Sequence, residues 1–112
     1  MQRVNEAECE FRLGDSGPKY LVRGPRHEWG IIVFHPGQSL GAHRHREVEE
    51  TFYFVSGSPL MVVDSQEHRV KPGDVFRLDP GEAHDIINDG AGDTRIIFVK
   101  CPYLPEDKEA VG

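Results

Sequence analysis

Four side chains of metal-ligand type stand at suggestive positions: His43 and His45 two apart, Glu50 a few residues on, and His84 some forty residues later. Residues two apart on a β-strand point to the same face, so His43 and His45 can reach one ion together. Glu50 lies an odd number of positions from His45, and a regular strand would turn it away. The stretch Arg46-Glu47-Val48-Glu49 must therefore hold a bend or bulge that resets the alternation. A lone histidine among the six (His27, His35, His43, His45, His68, His84) is more often a packing or surface residue than a ligand. A spaced pair followed by a carboxylate and a third imidazole leaves ligation and packing as comparable readings on residue type alone.

The elements that must position these groups read as strands. Short apolar runs rich in Val, Ile and Phe are divided by Gly, Pro, Asn and Asp. Strands are expected at residues 29–34, in a bent region 42–55, and at 60–63, 68–70, 75–78, 84–88 and 94–100. Turns are expected at Pro36-Gly37, residues 56–59, residues 64–67, Pro72-Gly73-Asp74, Pro80-Gly81 and residues 89–93. No helical periodicity of useful length interrupts residues 29–100, so the fold class is all-β, an antiparallel sandwich or barrel. After the expected bend, Glu50, Phe52 and Phe54 share one face, and Glu49, Thr51 and Tyr53 the other. Phe52, Phe54 and Ile86 are candidate pocket residues on the inner face, although the same residues read equally well as ordinary core. His35, Gln38, Arg77 and Asp79 flank the cluster without a clear acid–base role, and Arg77 falls on the outward parity.

At this point the chain resembles a known family, the cupins. Gly37, His43, His45, Glu50 and Gly57, separated by five, one, four and six residues, resemble the first cupin motif over its full length. Gly73, Asp79, Pro80, Gly81, His84 and Asn88 resemble the second, with one departure: Asp79 occupies the usual proline position and the adjacent Pro80 supplies the turn. The resemblance implies a double-stranded β-helix, or jelly-roll barrel. It also implies one divalent metal held by His43, His45, Glu50 and His84, with Glu49 as the fallback carboxylate. Three neutral imidazoles and one carboxylate suit Mn, Fe, Ni, Co, Cu or Zn better than Ca or Mg, which prefer oxygen donors. Two functional classes follow. One is a mononuclear metal-dependent enzyme, whether lyase, isomerase, decarboxylase or dioxygenase, acting on a small carboxylate- or hydroxyl-rich molecule. The other is a non-catalytic small-molecule binding or sensing module.

Length and charge bound the remainder. A chain of 112 residues suits one domain, with a barrel at about 29–100, an N-terminal segment 1–26 and a tail 101–112. A net charge of −6 argues against nucleic acid as the main partner, and Arg44 and Arg46 make too short a basic run to reverse that. No stretch approaches the roughly 18 apolar residues of a membrane span, and no apolar leader is evident at the start, so a cytoplasmic protein is expected. Cys9 and Cys101 lack any paired spacing and are expected to be reduced thiols. Residues 8–13 alternate as an edge strand would; by analogy with the family they are expected to be exchanged in a homodimer, with Tyr53 in its interface. The tail, with two prolines and four charges in residues 106–109, is expected to be a surface extension without chemistry.

Overall fold

Alternating burial follows the apolar pattern strand by strand. In the computed structural model, which describes residues 1–111, the inward parity of β4 (Glu49–Ser56) buries Glu50, Phe52 and Phe54, while Glu49 and Tyr53 are exposed. In β7 (Val75–Leu78) the same rule buries Leu78 and leaves Arg77 in solvent. The other strands are β1 (Gly17–Arg23), β2 (Glu28–Phe34), β3 (His43–Arg44), β5 (Leu60–Val63), β6 (Gln66–Arg69), β8 (His84–Ile87), β9 (Thr94–Cys101) and β10 (Glu109–Ala110). All pairings are antiparallel. One five-stranded sheet runs β1-β2-β9-β4-β7 and the other β10-β3-β8-β5-β6. β4 lies beside β9, and β8 lies between β3 and β5, so distant segments interleave. This is the expected all-β double-stranded β-helix.

Between the sheets lies one core, which includes Ile32, Phe34, Phe52, Phe54, Ile86 and Phe98. Each fully buried side chain of this size contributes about 1.5–3 kcal/mol of hydrophobic stabilisation relative to exposure. One turn shows how the chain enters this core. Gly57 adopts φ +87°, and a Cβ there would stand 2.5 Å from Thr94 Oγ1 and 2.9 Å from Thr94 Cα. Thr94 is itself buried and donates its hydroxyl to Ser56 O at 2.7 Å, so glycine alone lets the two chains approach.

Three expectations are corrected. Residues 8–13 do not form a strand. Residues Glu6–Glu8 form a 3₁₀ turn capped by Asn5, and the N-terminal strand begins only at Gly17. What places the segment is charge: both Glu6 carboxylate oxygens accept from Arg95 at 2.7 Å, and Lys19 stands 3.5 Å from Glu6. Residues 64–67 are not a four-residue turn. Asp64 and Ser65 alone carry positive φ, 47° and 69°, the geometry of a two-residue hairpin turn, and β6 therefore begins at Gln66. Finally, the tail is no loose extension. β10 pairs with β3, and Glu109 bridges Arg44 at 3.1 Å and Arg46 at 2.7 Å. The basic pair beside the histidines and the acidic tail find each other across about sixty residues of sequence.

Candidate metal centre

Three strands deliver the four candidate ligands. β3 carries His43 directly opposite His84 of β8, His45 follows at the end of β3, and Glu50 enters on the first inward position of β4. The expected bend between them exists: Arg46 and Glu47 are exposed, and the buried parity resumes at Val48 and Glu50. Its cause lies in the tail. The Asp107 carboxylate accepts the backbone N–H of Arg46 at 2.8 Å, Glu47 at 2.8 Å and Val48 at 3.0 Å. Three successive amides turned toward one carboxylate cannot also pair in a sheet, so the strand breaks there. Sequence reasoning missed Asp107, which lies 62 positions from His45. The only signal was charge complementarity between the tail and the Arg44–Arg46 run.

All four side chains are buried, none more than 5% exposed. His45 Nε2 lies 3.1 Å, His84 Nε2 3.2 Å and His43 Nε2 3.8 Å from Glu50 Oε1. One ligand atom from each residue falls within 4.8 Å of all the others. An octahedral ion with bonds of roughly 2.1 Å would space its donors about 3.0 Å apart when adjacent and about 4.2 Å when opposite, so the cluster has the size of a single coordination shell.

The far side of each ring sets its tautomer. His43 Nδ1 donates to Gly41 O at 2.8 Å, His84 Nδ1 to Glu82 O at 3.0 Å, and His45 Nδ1 to Asp107 O. A carbonyl can only accept, so each Nδ1 carries the hydrogen, and whenever a ring is neutral its Nε2 lone pair faces inward. Such backbone partners orient metal-binding imidazoles and raise their basicity. Burial alone would raise the Glu50 pKa, but the three imidazoles His43, His45 and His84 around it, with the charge of Lys100, hold it well below the usual carboxylate range. Desolvation lowers the His43 pKa, favouring its neutral form. Desolvation opposes charging at His45 as well, but the bonds to Glu50 and Asp107 O outweigh it and raise its pKa. A carboxylate and three imidazoles whose Nε2 atoms face it, each able to offer a lone pair once deprotonated there, fit a divalent transition ion. Glu49, the fallback carboxylate, is exposed on the opposite face.

Phe52, Phe54 and Ile86 are fully buried in the core rather than at the opening, and the Phe52 ring packs against His84 at 5.7 Å between centroids. Access to the cluster comes from another side. A narrow pocket of about 20 Å³ reaches His43 and Glu50, and a cavity of about 130 Å³ reaches His45. Arg12, Tyr20, Lys100 and Lys108 border both. None of these four stood out in the sequence, since they come from the N-terminal segment, β1, β9 and the tail. His35 and Asp93 sit elsewhere, joined at 2.9 Å on the surface.

Residues 30–100 match the sequence profile of the Cupin domain. An oxalate-binding protein of Thermotoga maritima is 34% identical over 64 residues, covering 57% of this chain and 53% of that protein. The tetracenomycin polyketide synthase protein TcmJ of Streptomyces glaucescens is 29% identical over 76 residues, covering 68% of this chain and 51% of that protein. The chain thus spans about half the length of these curated relatives. Among solved structures, a Klebsiella pneumoniae protein with a double-stranded β-helix domain superposes with a TM-score of 0.83 at 19% identity, covering 100% of this chain and 98% of that one. The polyketide cyclase RemF of Streptomyces resistomycificus also gives 0.83, at 20% identity, with 100% and 86% covered. These two likenesses concern the fold. With its profile match over well more than half of its length and its paired sheets, this chain belongs to the cupin family.

Proposed function

We propose that the protein holds one divalent transition metal (Mn, Fe, Ni, Co, Cu or Zn) on His43, His45, Glu50 and His84, and acts as a mononuclear metal-dependent enzyme on a small carboxylate- or hydroxyl-rich molecule. The observation that carries this reading is the convergence of three Nε2 atoms on one Glu50 oxygen, with each Nδ1 tied to a backbone carbonyl. A divalent ion held by His43, His45, Glu50 and His84 would supply Lewis acidity, which would polarise a carboxylate or acidify a water. The chain's own contribution is to hold the donors rigid, exclude water with the core behind them, and present cations at the opening. Relatives named for oxalate binding and for polyketide synthesis support an oxygen-rich small-molecule ligand. The reaction class, whether lyase, isomerase, decarboxylase or dioxygenase, follows from the metal.

The non-catalytic binding or sensing module is the second reading. It is favoured by the residues at the opening: Arg12, Lys100 and Lys108 hold an anion well, and no carboxylate apart from the ligand Glu50 borders the narrow pocket as a proton carrier. We further propose a homodimer formed through the outer face of the β1-β2-β9-β4-β7 sheet, where Tyr53, Val55, Val75 and Val99 are exposed together.

Elemental analysis by plasma mass spectrometry on protein purified without chelator tests the metal reading. About one transition metal per chain is expected, lost in a His43→Ala, His84→Ala double variant prepared identically. Protein that stays metal-free after incubation with each candidate ion would refute it. Turnover by the loaded protein then separates enzyme from binding module.

A further inference from the structure

Residues 102–111 close over the candidate metal centre without joining the core. Leu104, Pro105, Asp107 and Lys108 form one side of the cavity of about 130 Å³ that reaches His45, and Lys108 also borders the pocket of about 20 Å³ at His43 and Glu50. Sites for small organic ligands run to roughly 300–1,000 Å³. With the tail docked, both routes are too small for such a molecule. The opposite wall of the larger cavity belongs mainly to β1, β2 and β9 (Tyr20, Arg23, Glu28 and Lys100), whose backbones are paired in the sheet. Widening it therefore means moving the tail.

The tail is also the wall held most lightly. None of residues 102–111 is buried. Beyond the Asp107 bonds to the amides of residues 46–48 and to His45, it docks through the two-residue pairing of β10 with β3, Val111 N–H on Ala42 O, and Glu109 on Arg44 and Arg46. The Arg44 and Arg46 side chains are 51% and 77% exposed, and ion pairs in water hold little. Segments with few apolar contacts and exposed hydrogen bonds open locally, far short of global unfolding. The base of the tail, by contrast, is fixed. Tyr103 N–H donates to Arg26 O at 3.1 Å, and its ring lies so close to Gly24 that a Cβ there would stand 2.7 Å from it. Leu104, Pro105 and Glu106, all exposed, join this anchor to Asp107.

We propose that residues 104–111 are a lid hinged just after Tyr103. Docked, it fixes His45 and shuts the cluster in; when Asp107 leaves the bend and β10 peels from β3, metal and ligand pass. The lid rests on the metal site proposed above and controls access to it.

Arg44 and Glu109 stand directly opposite on β3 and β10, a spacing within disulfide reach. Arg44→Cys with Glu109→Cys, in a chain carrying Cys9→Ser and Cys101→Ser, cross-links the lid shut on oxidation. Cobalt(II) uptake, and its release to a chelator, are timed by visible absorption in the oxidised and the reduced protein. The cross-link is expected to slow both by roughly tenfold or more, and reductant to restore both. A gate slows entry and exit together, whereas a tail that only stabilises the site slows exit alone. Equal rates in the two forms, or slowed release with unchanged uptake, would overturn the lid and leave the metal site standing. Hydrogen exchange on the metal-free wild type checks the opening itself. The amides of Arg46, Glu47 and Val48 are expected to show protection at least roughly a hundredfold lower than those of Phe52 and Phe98. Equal protection would mean that the tail opens only when the whole chain unfolds, which also overturns the lid. A protein that takes up neither cobalt nor any other candidate ion overturns the metal site instead. The cross-link must then still slow exchange at residues 46–48, or the lid falls as well.

Discussion

His35 sits between two carboxylates, its Nε2 3.1 Å from Asp15 and its Nδ1 2.9 Å from Asp93. The hydrogen bonds to Asp93 and Asp15 raise its pKa above the ordinary 6.5, against slight desolvation. Because the folded value is the higher one, the clamp contributes fully below pH 6.5 and its contribution fades as pH rises through the folded pKa. Urea midpoints are expected to fall between pH 5.5 and 8.5 in the wild type, and that part of the fall should be missing in His35→Gln. At Gly57 the argument is steric. Gly57→Ala must place a methyl against Thr94 in left-handed backbone, and a loss of about 1–3 kcal/mol is expected from denaturant titration. An unchanged midpoint would mean that Thr94 can move aside.

Between residue and molecule stands the bend at residues 46–48, which turns Glu50 inward beside His45. Asp107 holds it from the tail through three amides and also fixes the His45 ring through its carbonyl. Asp107→Ala keeps the carbonyl but frees the amides, so the bend loosens while His45 keeps its tautomer. Metal affinity is expected to fall by roughly 10–100-fold in a chelator competition assay, the usual effect of losing support behind a ligand. Removing residues 102–112 takes away the carbonyl as well and should cost more. If both changes left metal affinity at the wild-type level, β3 and β8 alone would be sufficient to hold His45.

The whole molecule presents two unlike faces. One end of the barrel opens on a cationic vestibule, while the outer face of one sheet exposes Tyr53, Val55, Val75 and Val99. Clustered apolar side chains on a sheet exterior mark a contact surface. Light scattering after size exclusion is expected to give a dimer mass, and Tyr53→Arg with Val99→Glu a monomer that keeps its metal. A wild-type monomer at micromolar concentration would remove the dimer proposal. Among the described residues no helix is long and apolar enough to cross a membrane.

Strand periodicity and turn residues are local, and so the expected strands at 60–63 and 75–78 match β5 and β7 end to end. The inward set Glu50, Phe52 and Phe54 and the need for a bend before Glu50 were legible for the same reason: side chains alternate on a pleated strand whatever surrounds it. The four candidate ligands could be named because their spacing, with the flanking glycines, resembles two family motifs. What holds the site was not legible. Asp107, 62 positions from His45, supplies the bend's hydrogen bonds, and Arg12, Lys100 and Lys108 meet at the opening from three separate segments. Residues 8–13 failed as a strand because their backbone closes local turns, Gly14 N–H bonding Phe11 O while Arg12 and Leu13 bond Pro18 O and Ser16 O, which alternation alone does not report. Periodicity reports which face of an element is buried, and the motif spacing that resembles the cupins pointed to the barrel and its inward donors, so these were determined by the sequence. Which distant charges close over those donors depends on how the termini pack in three dimensions, and only the tertiary structure decided that.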